Sequence, residues 1–225
     1  MKDLEFAALM CSRLCHDLIS PVTAFANGLE VLTDEDDPEM KDQALALLQN
    51  SARQAAAKLQ FARLAYGAAS AHGADIELAE ARQVVELYLG ESKADLQWEV
   101  EAYTAPKDVV RLLLNFCLLA VDSVPRGGRV RLSLEERPDA TSILAEATGK
   151  PLVFPEKLAQ ALGCELDDNA QDARSIQPTL TRRIVDGLGG TFTLEKEDER
   201  LALSALVPAA PGVSAAPGLQ KAVGA

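Results

Sequence analysis

Residues 14–22 have the sequence Leu14-Cys15-His16-Asp17-Leu18-Ile19-Ser20-Pro21-Val22. The stretch holds one of only two histidines in the chain, followed directly by an aspartate. Around it, apolar or small residues recur at alternating steps of four and three, at Leu4, Ala8, Cys11, Cys15, Leu18, Val22, Phe25, Leu29 and Leu32. That spacing predicts one long helix, over about residues 2–32, with an apolar face of the kind that packs in a coiled coil.

His16 lies off this apolar face, in line with Arg13, Asp17 and Ser20. The imidazole is therefore expected to point outward, beside polar neighbours. Pro21 removes one backbone donor and frees the carbonyl of Asp17, which predicts a local bend just past the histidine.

Two interpretations of His16 are open from these residues. A histidine on a helix surface can be a solvated side chain without a chemical role. Alternatively, an imidazole beside a carboxylate can act as a nucleophile, with one nitrogen attacking while the other is held as a donor.

A second helix is predicted after the acidic turn at residues 33–38, where Asp36 or Asp37 can cap it and Pro38 suits its first turn. It repeats the apolar spacing at Leu45, Leu48, Ala52, Ala55, Leu59, Ala62, Tyr66 and Ala69. Such a hairpin has too little core of its own. We therefore predict a homodimer in which two chains form an intermolecular four-helix bundle, the alternative being that both apolar faces pack on the C-terminal half.

Three basic residues of the second helix, Arg53, Lys58 and Arg63, have two interpretations. They can lie near the histidine helix and favour a phosphorylated or acidic partner, or they can simply be solvated.

Composition limits the classes of partner. Lys and Arg number 22 against 34 Asp and Glu, and the net charge of −12 argues against sequence-independent nucleic-acid binding and against docking on an anionic membrane. No apolar run approaches the roughly 20 residues that span a bilayer, and no signal peptide is evident, so a soluble, cytoplasmic protein is expected. The four cysteines lack metal-ligand spacing and are expected to be reduced core residues.

The second half mixes helices and strands. Helices are predicted over residues 80–89, 106–121, 155–162 and 176–188, and strands over 96–103, 128–135, 142–147, 192–196 and 201–207. This order favours a sheet with helices on one face. The predicted organisation is a helical hairpin (1–70), a linker (71–75), an α/β sandwich (76–208) and a disordered tail (209–225).

The string His16-Asp17-Leu18-Ile19-Ser20-Pro21 resembles the phospho-acceptor box of two-component histidine kinases and dimeric histidine phosphotransferases. The second half is similar to the ATP-binding domain of histidine kinases, but with losses. In that family one helix carries two Asn residues four apart, the second holding magnesium; here Asn115 is present and Leu119 replaces the second. No aspartate of the adenine-binding box follows the strand that ends near residue 147, and residues 172–180 contain no glycine where kinases have a phosphate-binding loop.

Taken together, the chain resembles the dimeric histidine phosphotransferases of alphaproteobacterial phosphorelays, with a degenerate histidine-kinase-like α/β sandwich. The resemblance implies that His16 takes a phosphoryl group from the receiver domain of a hybrid histidine kinase and passes it to the receiver domains of response regulators. It implies no cofactor on this chain, with Mg²⁺ belonging to the receiver. Asp17 would orient the imidazole, and the residues that contact the partner would be Arg13, Leu14, Leu18, Ile19, Ser20 and Val22.

Two other functions stay open at this point. One is an ATP-dependent histidine kinase fragment with an unusual nucleotide site. The other is a non-catalytic dimeric interaction protein in which His16 is inert.

Overall fold

The N-terminal part of the computed structural model, which describes residues 1–67, 75–90 and 92–209, is a helical hairpin. Helix α1 spans Asp3–Asp34 and continues through Pro21, and α2 spans Pro38–Tyr66. The Asp37 carboxylate accepts a hydrogen bond from the backbone N–H of Glu39 at 3.0 Å, and Pro38 opens the first turn, as predicted. Three residues therefore suffice to reverse the chain.

In the hairpin, α1 contacts α2 through a face other than its predicted apolar one, whereas Leu48 of the predicted α2 face lies in the contact. Gly28 is buried, and a Cβ there would come within 3.2 Å of the Leu48 side chain, so its lack of a side chain permits the close approach. Most of the predicted apolar face of α1 and part of that of α2 point away from the chain, with large exposed side chains at Leu4, Val22, Phe25, Leu29, Leu45 and Leu59. The alternative that both apolar faces pack on the C-terminal half is therefore wrong for α1, whereas Tyr66 at the end of the α2 face does pack against the core.

The second part is an α/β sandwich. Its five-stranded sheet has the order β2-β4-β5-β7-β6, with β2 and β4 parallel and the other pairs antiparallel. The elements in chain order are β1 Asp75–Glu77, α3 Leu78–Leu89, β2 Ala94–Val100, β3 Thr104–Pro106, α4 Lys107–Asp122, β4 Gly128–Glu136, β5 Ala140–Thr148, α5 Glu156–Leu162, the 3₁₀ turn Asp168–Ala170, α6 Ile176–Gly187, β6 Thr191–Lys196 and β7 Arg200–Pro208.

Each helix and each sheet strand of this part was predicted to within a few residues. The pair β1–β3 was missed because its strands have three residues each, too few to show a periodicity. The predicted linker and tail lie outside the described residues, apart from Asp75 and Ala209. The expectation of core cysteines is correct for Cys117 only, since Cys11, Cys15 and Cys164 are exposed in the single chain.

Helix α4 is the centre of this core. Every residue from Val109 to Val121 except Arg111 is buried, so the helix needs cover on all sides. The sheet covers one side, and α2, α3 and α6 cover the others. From α2, the side chains of Phe61, Leu64 and Ala65 enter the same cluster. The hairpin and the sandwich therefore share one hydrophobic core.

A second contact holds the start of α1 against α6. The Arg183 guanidinium lies 4.2 Å from the centre of the Phe6 ring, a cation–π arrangement. Next to it, the N-terminal ammonium of Met1 pairs with Asp168. Together these contacts attach the first turn of α1 to the second domain.

Asn115 ties three helices together inside the core. Its side-chain amide donates to the carbonyls of Ala65 in α2 and Arg111 in α4, at 3.0 and 2.8 Å. Its side-chain oxygen accepts a hydrogen bond from Gln177 of α6 at 3.1 Å. The first of the two kinase-type Asn positions thus has a structural role in this protein.

The described residues include no helix with both the length and the apolar character needed to cross a membrane.

Asn115→Leu preserves the volume of the side chain but leaves the Ala65 carbonyl and the Gln177 amide without this partner. We expect a loss of about 2–4 kcal/mol in the free energy of unfolding, because each buried unpaired group costs about 1–3 kcal/mol. Urea unfolding of wild type and variant at the same protein concentration measures this loss in the free energy of unfolding. The matched control is Asn169→Leu at an exposed position, and equal stability of the two variants would contradict the assignment.

Candidate functional site

His16 lies on the open side of α1, where 64% of its side chain is exposed. Its Nδ1 is 3.4 Å from Oδ1 of Asp17. A carboxylate at Nδ1 favours the tautomer that carries its proton there. The lone pair is then on Nε2, the nitrogen available for attack on an electrophile.

Asp17 is held from the side opposite the histidine. Its Oδ2 accepts a hydrogen bond from Arg13 Nε at 2.9 Å, one turn earlier in the helix. Its main-chain carbonyl accepts a hydrogen bond from Lys58 Nζ of α2, also at 2.9 Å. This carbonyl is the one that Pro21 leaves without a backbone donor, so Lys58 supplies the hydrogen bond that the proline removes.

Arg13 connects this cluster to the second domain. A terminal nitrogen of its guanidinium is 3.5 Å from Oδ2 of Asp122, the last residue of α4. Only 14% of the Arg13 side chain is exposed. Desolvation acts to lower the pKa of Arg13, but the Asp17 and Asp122 carboxylates outweigh it and hold the pKa above its ordinary value. The Asp122 side chain is half exposed at the cleft, and partial desolvation raises its pKa against the opposing effect of Arg13.

A cleft of about 360 Å³ opens beside His16, between α1 and the second domain. Leu119, at the position of the magnesium-holding Asn of kinases, lies in its wall. The full lining is Arg13, His16 and Asp17 of α1, Leu119 and Asp122 of α4, Ser123, Val153, Phe154, Pro155, Leu158 of α5, Arg174, and Gln177 of α6. The histidine therefore lies at the edge of a cleft formed with the second domain.

An internal carboxylate occupies the backbone donors at the start of α6. Oδ1 of Asp172 accepts from the N–H groups of Arg174 and Ser175, both at 2.9 Å, and Oδ2 accepts from Lys157 Nζ at 2.6 Å. Desolvation acts to raise the pKa of Asp172, but these hydrogen bonds lower it to about 2. Backbone donors that precede a helix can bind an anion, and here Asp172 accepts from two of them.

The predicted partner-contacting residues divide into two groups. Ile19, Ser20 and Val22 are exposed, with exposed fractions of 65% for Ile19 and 56% for Val22. The other three, Arg13, Leu14 and Leu18, are partly buried, and Leu14 lies beside residues of α2 and α4.

Of the three basic residues of α2, Lys58 donates a hydrogen bond to α1, at the Asp17 carbonyl. Arg63 pairs with Glu80 of α3 at 3.1 Å, and Arg53 is exposed. The sequence analysis missed Asp122 as a member of the site. It is 109 residues from Arg13 along the chain, and no local spacing signals such a contact.

Within residues 1–67, 75–90 and 92–209, no group of three or more His, Cys, Asp and Glu side chains is arranged to hold a metal ion. The expectation that this chain needs no cofactor of its own stays a prediction.

Comparison with known proteins identifies similar chains. A sequence profile of the histidine phosphotransferase C-terminal domain matches residues 78–200. The protein phosphotransferase ChpT of Brucella abortus (strain 2308) is 36% identical over 206 residues, which are 90% of this chain and 95% of that protein. A solved structure described as a bacterial phosphotransferase has 34% sequence identity to this chain and a TM-score of 0.81. The match covers 91% of this chain and 97% of the other.

A double-mutant cycle tests whether Lys58 replaces the donor that Pro21 lacks. We expect Lys58→Met to destabilise the protein less in a Pro21→Ala background, because the alanine N–H then reaches the Asp17 carbonyl. The coupling free energy should be about 1 kcal/mol, read from urea unfolding of the four proteins. Additivity of the two substitutions would contradict this interpretation.

Proposed function

Because the chain belongs to the histidine phosphotransferase family, we propose that it is a protein phosphotransferase that carries the phosphoryl group on Nε2 of His16. The observation that supports this proposal most directly is an exposed imidazole whose Nδ1 faces the Asp17 carboxylate at 3.4 Å. A group of this kind is accessible to another protein and oriented at the same time. An inert surface histidine would need neither the carboxylate nor the support beneath it.

The reaction is an exchange of bonds at phosphorus. The Nε2 lone pair attacks the phosphorus of an aspartyl phosphate, the P–N bond forms, and the P–O bond to the aspartate breaks. The receiver's aspartate leaves as a carboxylate, and the Nδ1 proton stays between the imidazole and Asp17. Reversal of these steps on a second receiver regenerates His16. Such transfer depends mainly on positioning and on stabilising charge, so few groups are needed on this side.

We propose the receiver domain of a hybrid histidine kinase as the donor and response regulator receivers as the acceptors. Ile19 and Ser20 lie one turn from His16 on the exposed surface and would contact the receiver first. Leu18 and Val22 would border that contact. The protein is expected to act in the cytoplasm, and the Mg²⁺ that neutralises the phosphoryl oxygens would come with the receiver.

Two features support transfer without ATP binding. Leu119 offers no oxygen to a hard cation, and Asp172 occupies the backbone donors at the start of α6. The carboxylate of Asp172 would also repel a phosphate placed there. An ATP-dependent kinase fragment is accordingly the less supported alternative.

Transfer of radiolabelled phosphoryl from a phosphorylated receiver tests the assignment of His16. We expect wild type to acquire an acid-labile label from the receiver and none from ATP alone. His16→Ala should acquire no label, whereas His72→Ala, which removes the other histidine, should be labelled at the wild-type rate. Labelling of His16→Ala would reject the assignment, and labelling of wild type by ATP would favour the kinase alternative.

We further propose that the protein works as a homodimer built on the outward apolar face of the hairpin. Val22 and Leu29 are seven residues apart and so share one face of α1, and Phe25 lies beside them. All three are more than 40% exposed in the single chain, as are Leu45 and Leu59 of α2. An apolar surface along both helices is typical of a bundle interface. Two hairpins joined through it would bury these side chains in a four-helix bundle.

Leu29→Glu should shift the protein toward the monomer, because a symmetric interface would receive two buried charges at once. Light scattering after size exclusion should give about twice the chain mass of 24.0 kDa for wild type and a value near the chain mass for the variant. Leu87→Glu is the matched control, since Leu87 of α3 is 49% exposed and Leu29 is 48% exposed. A monomeric wild type would reject the dimer.

A further inference from the structure

Asp17 has three acceptor atoms, and a different residue approaches each of them. His16 Nδ1 faces Oδ1 at 3.4 Å, Arg13 Nε donates to Oδ2 at 2.9 Å, and Lys58 Nζ donates to the main-chain carbonyl at 2.9 Å. The carboxylate can therefore face the imidazole and keep its hydrogen bond from Arg13 in one orientation. The orientation of Asp17, and with it that of His16, depends on where Arg13 is held.

Arg13 is held by the second domain. Only 14% of its side chain is exposed, and its terminal guanidinium nitrogen reaches the half-exposed carboxylate of Asp122 at 3.5 Å. A guanidinium so covered needs paired acceptors, and its planar fork suits two carboxylates at once. Asp122 ends α4, the most buried helix of the chain. A line of alternating charge thus runs from the rigid core to the exposed histidine, through Asp122, Arg13 and Asp17.

Because the Arg13 side chain is largely buried, its contacts with Asp122 and Asp17 fix the positions of these groups as well as balancing their charges. Ion pairs between exposed side chains contribute little, because water screens them and the side chains stay mobile. The Arg13 side chain instead extends from α1 to the end of α4 and, being mostly buried, has little freedom to move. A displacement of α4 relative to α1 would therefore change the orientation of the Asp17 carboxylate beside His16.

We propose that Arg13 and Asp122 are positioning residues for phosphoryl transfer, through which the degenerate domain orients Asp17 and His16. The inference rests on the proposed function of His16 and goes beyond it, because it gives the second domain a role in transfer that requires no nucleotide. It also separates Arg13 from partner binding: its guanidinium acts on the site from below, on the face away from the receiver.

The test compares Arg13→Met, Asp122→Asn and Asp122→Glu in the full-length protein. At saturating phosphorylated receiver, the maximal rate of transfer to His16 should fall by about tenfold or more in Arg13→Met, because small misplacements of a reacting group have effects of this size. Asp122→Asn should show a smaller loss, and Asp122→Glu should recover part of it. The dissociation constant for the unphosphorylated receiver should change by less than about twofold, since neither residue contacts the partner.

Arg182→Met is the matched control. Arg182 donates from Nε to Asp186 at 2.8 Å, an Arg–Asp pair at the same spacing in α6, away from His16. Its loss should leave the transfer rate unchanged. The ¹⁵N resonance of His16 Nδ1 gives a second measurement on the unphosphorylated protein, and it should move toward that of a free imidazole in Arg13→Met but not in Arg182→Met. The His16 resonance would not move if the substituted residue had only a structural role elsewhere in the protein.

The outcomes separate this inference from the proposed function. Wild-type rates and an unchanged His16 resonance in both Arg13→Met and Asp122→Asn would overturn the positioning role while leaving His16 as the carrier. Weaker receiver binding with an unchanged maximal rate would also overturn it, and would return Arg13 to the partner-contacting residues. Failure of wild type to accept the phosphoryl group would reject the proposed function itself.

Discussion

The burial of α4 is the constraint on which the arrangement of the other elements depends. Because this helix is apolar on all sides, no single sheet can cover it, and α2, α3 and α6 must complete its enclosure. The last turns of α2 contribute Phe61 and Leu64 to that enclosure, and removing such side chains from the core would cost about 1.5–3 kcal/mol each. The hairpin is therefore not free to swing away. Its attachment places α1 across the end of α4 and brings His16 to the edge of the cleft.

The site has to satisfy two conflicting requirements. A histidine that exchanges a group with another protein must be exposed, but an exposed side chain is mobile, and transfer requires a defined orientation. The structure separates the two tasks. The imidazole is open to solvent, while the groups that orient it, Asp17 and Arg13, lie below it in a covered position where their interaction is less screened. Lys58 adds to this support by restoring the hydrogen bond that Pro21 removes.

The sequence contains more information about the elements than about their mutual contacts. His16, Asp17 and Pro21 are adjacent, so their relation could be predicted from helical geometry alone. Lys58 and Asp122 could not be assigned, because their partners are 41 and 109 residues away and any exposed charge could have filled the role. The apolar face of α1 was recognised, but not that its other face packs on α2. Small and apolar residues such as Leu14, Pro21 and Gly28 also line that other face, and packing depends on the fit at Leu48, which no periodicity encodes.

The side chains at three positions around the cleft have partners within the chain or need none. A phosphate-binding cleft presents polar groups that need a partner when no ligand is bound. Here Leu119 has no polar group to satisfy, Asn115 pairs with Ala65 and Gln177, and Asp172 accepts from the donors at the start of α6. Each of these three positions therefore has an internal contact or an apolar side chain. The domain can therefore serve as a rigid support for α1, and the end of α4 lies where a positioning carboxylate is useful to the histidine.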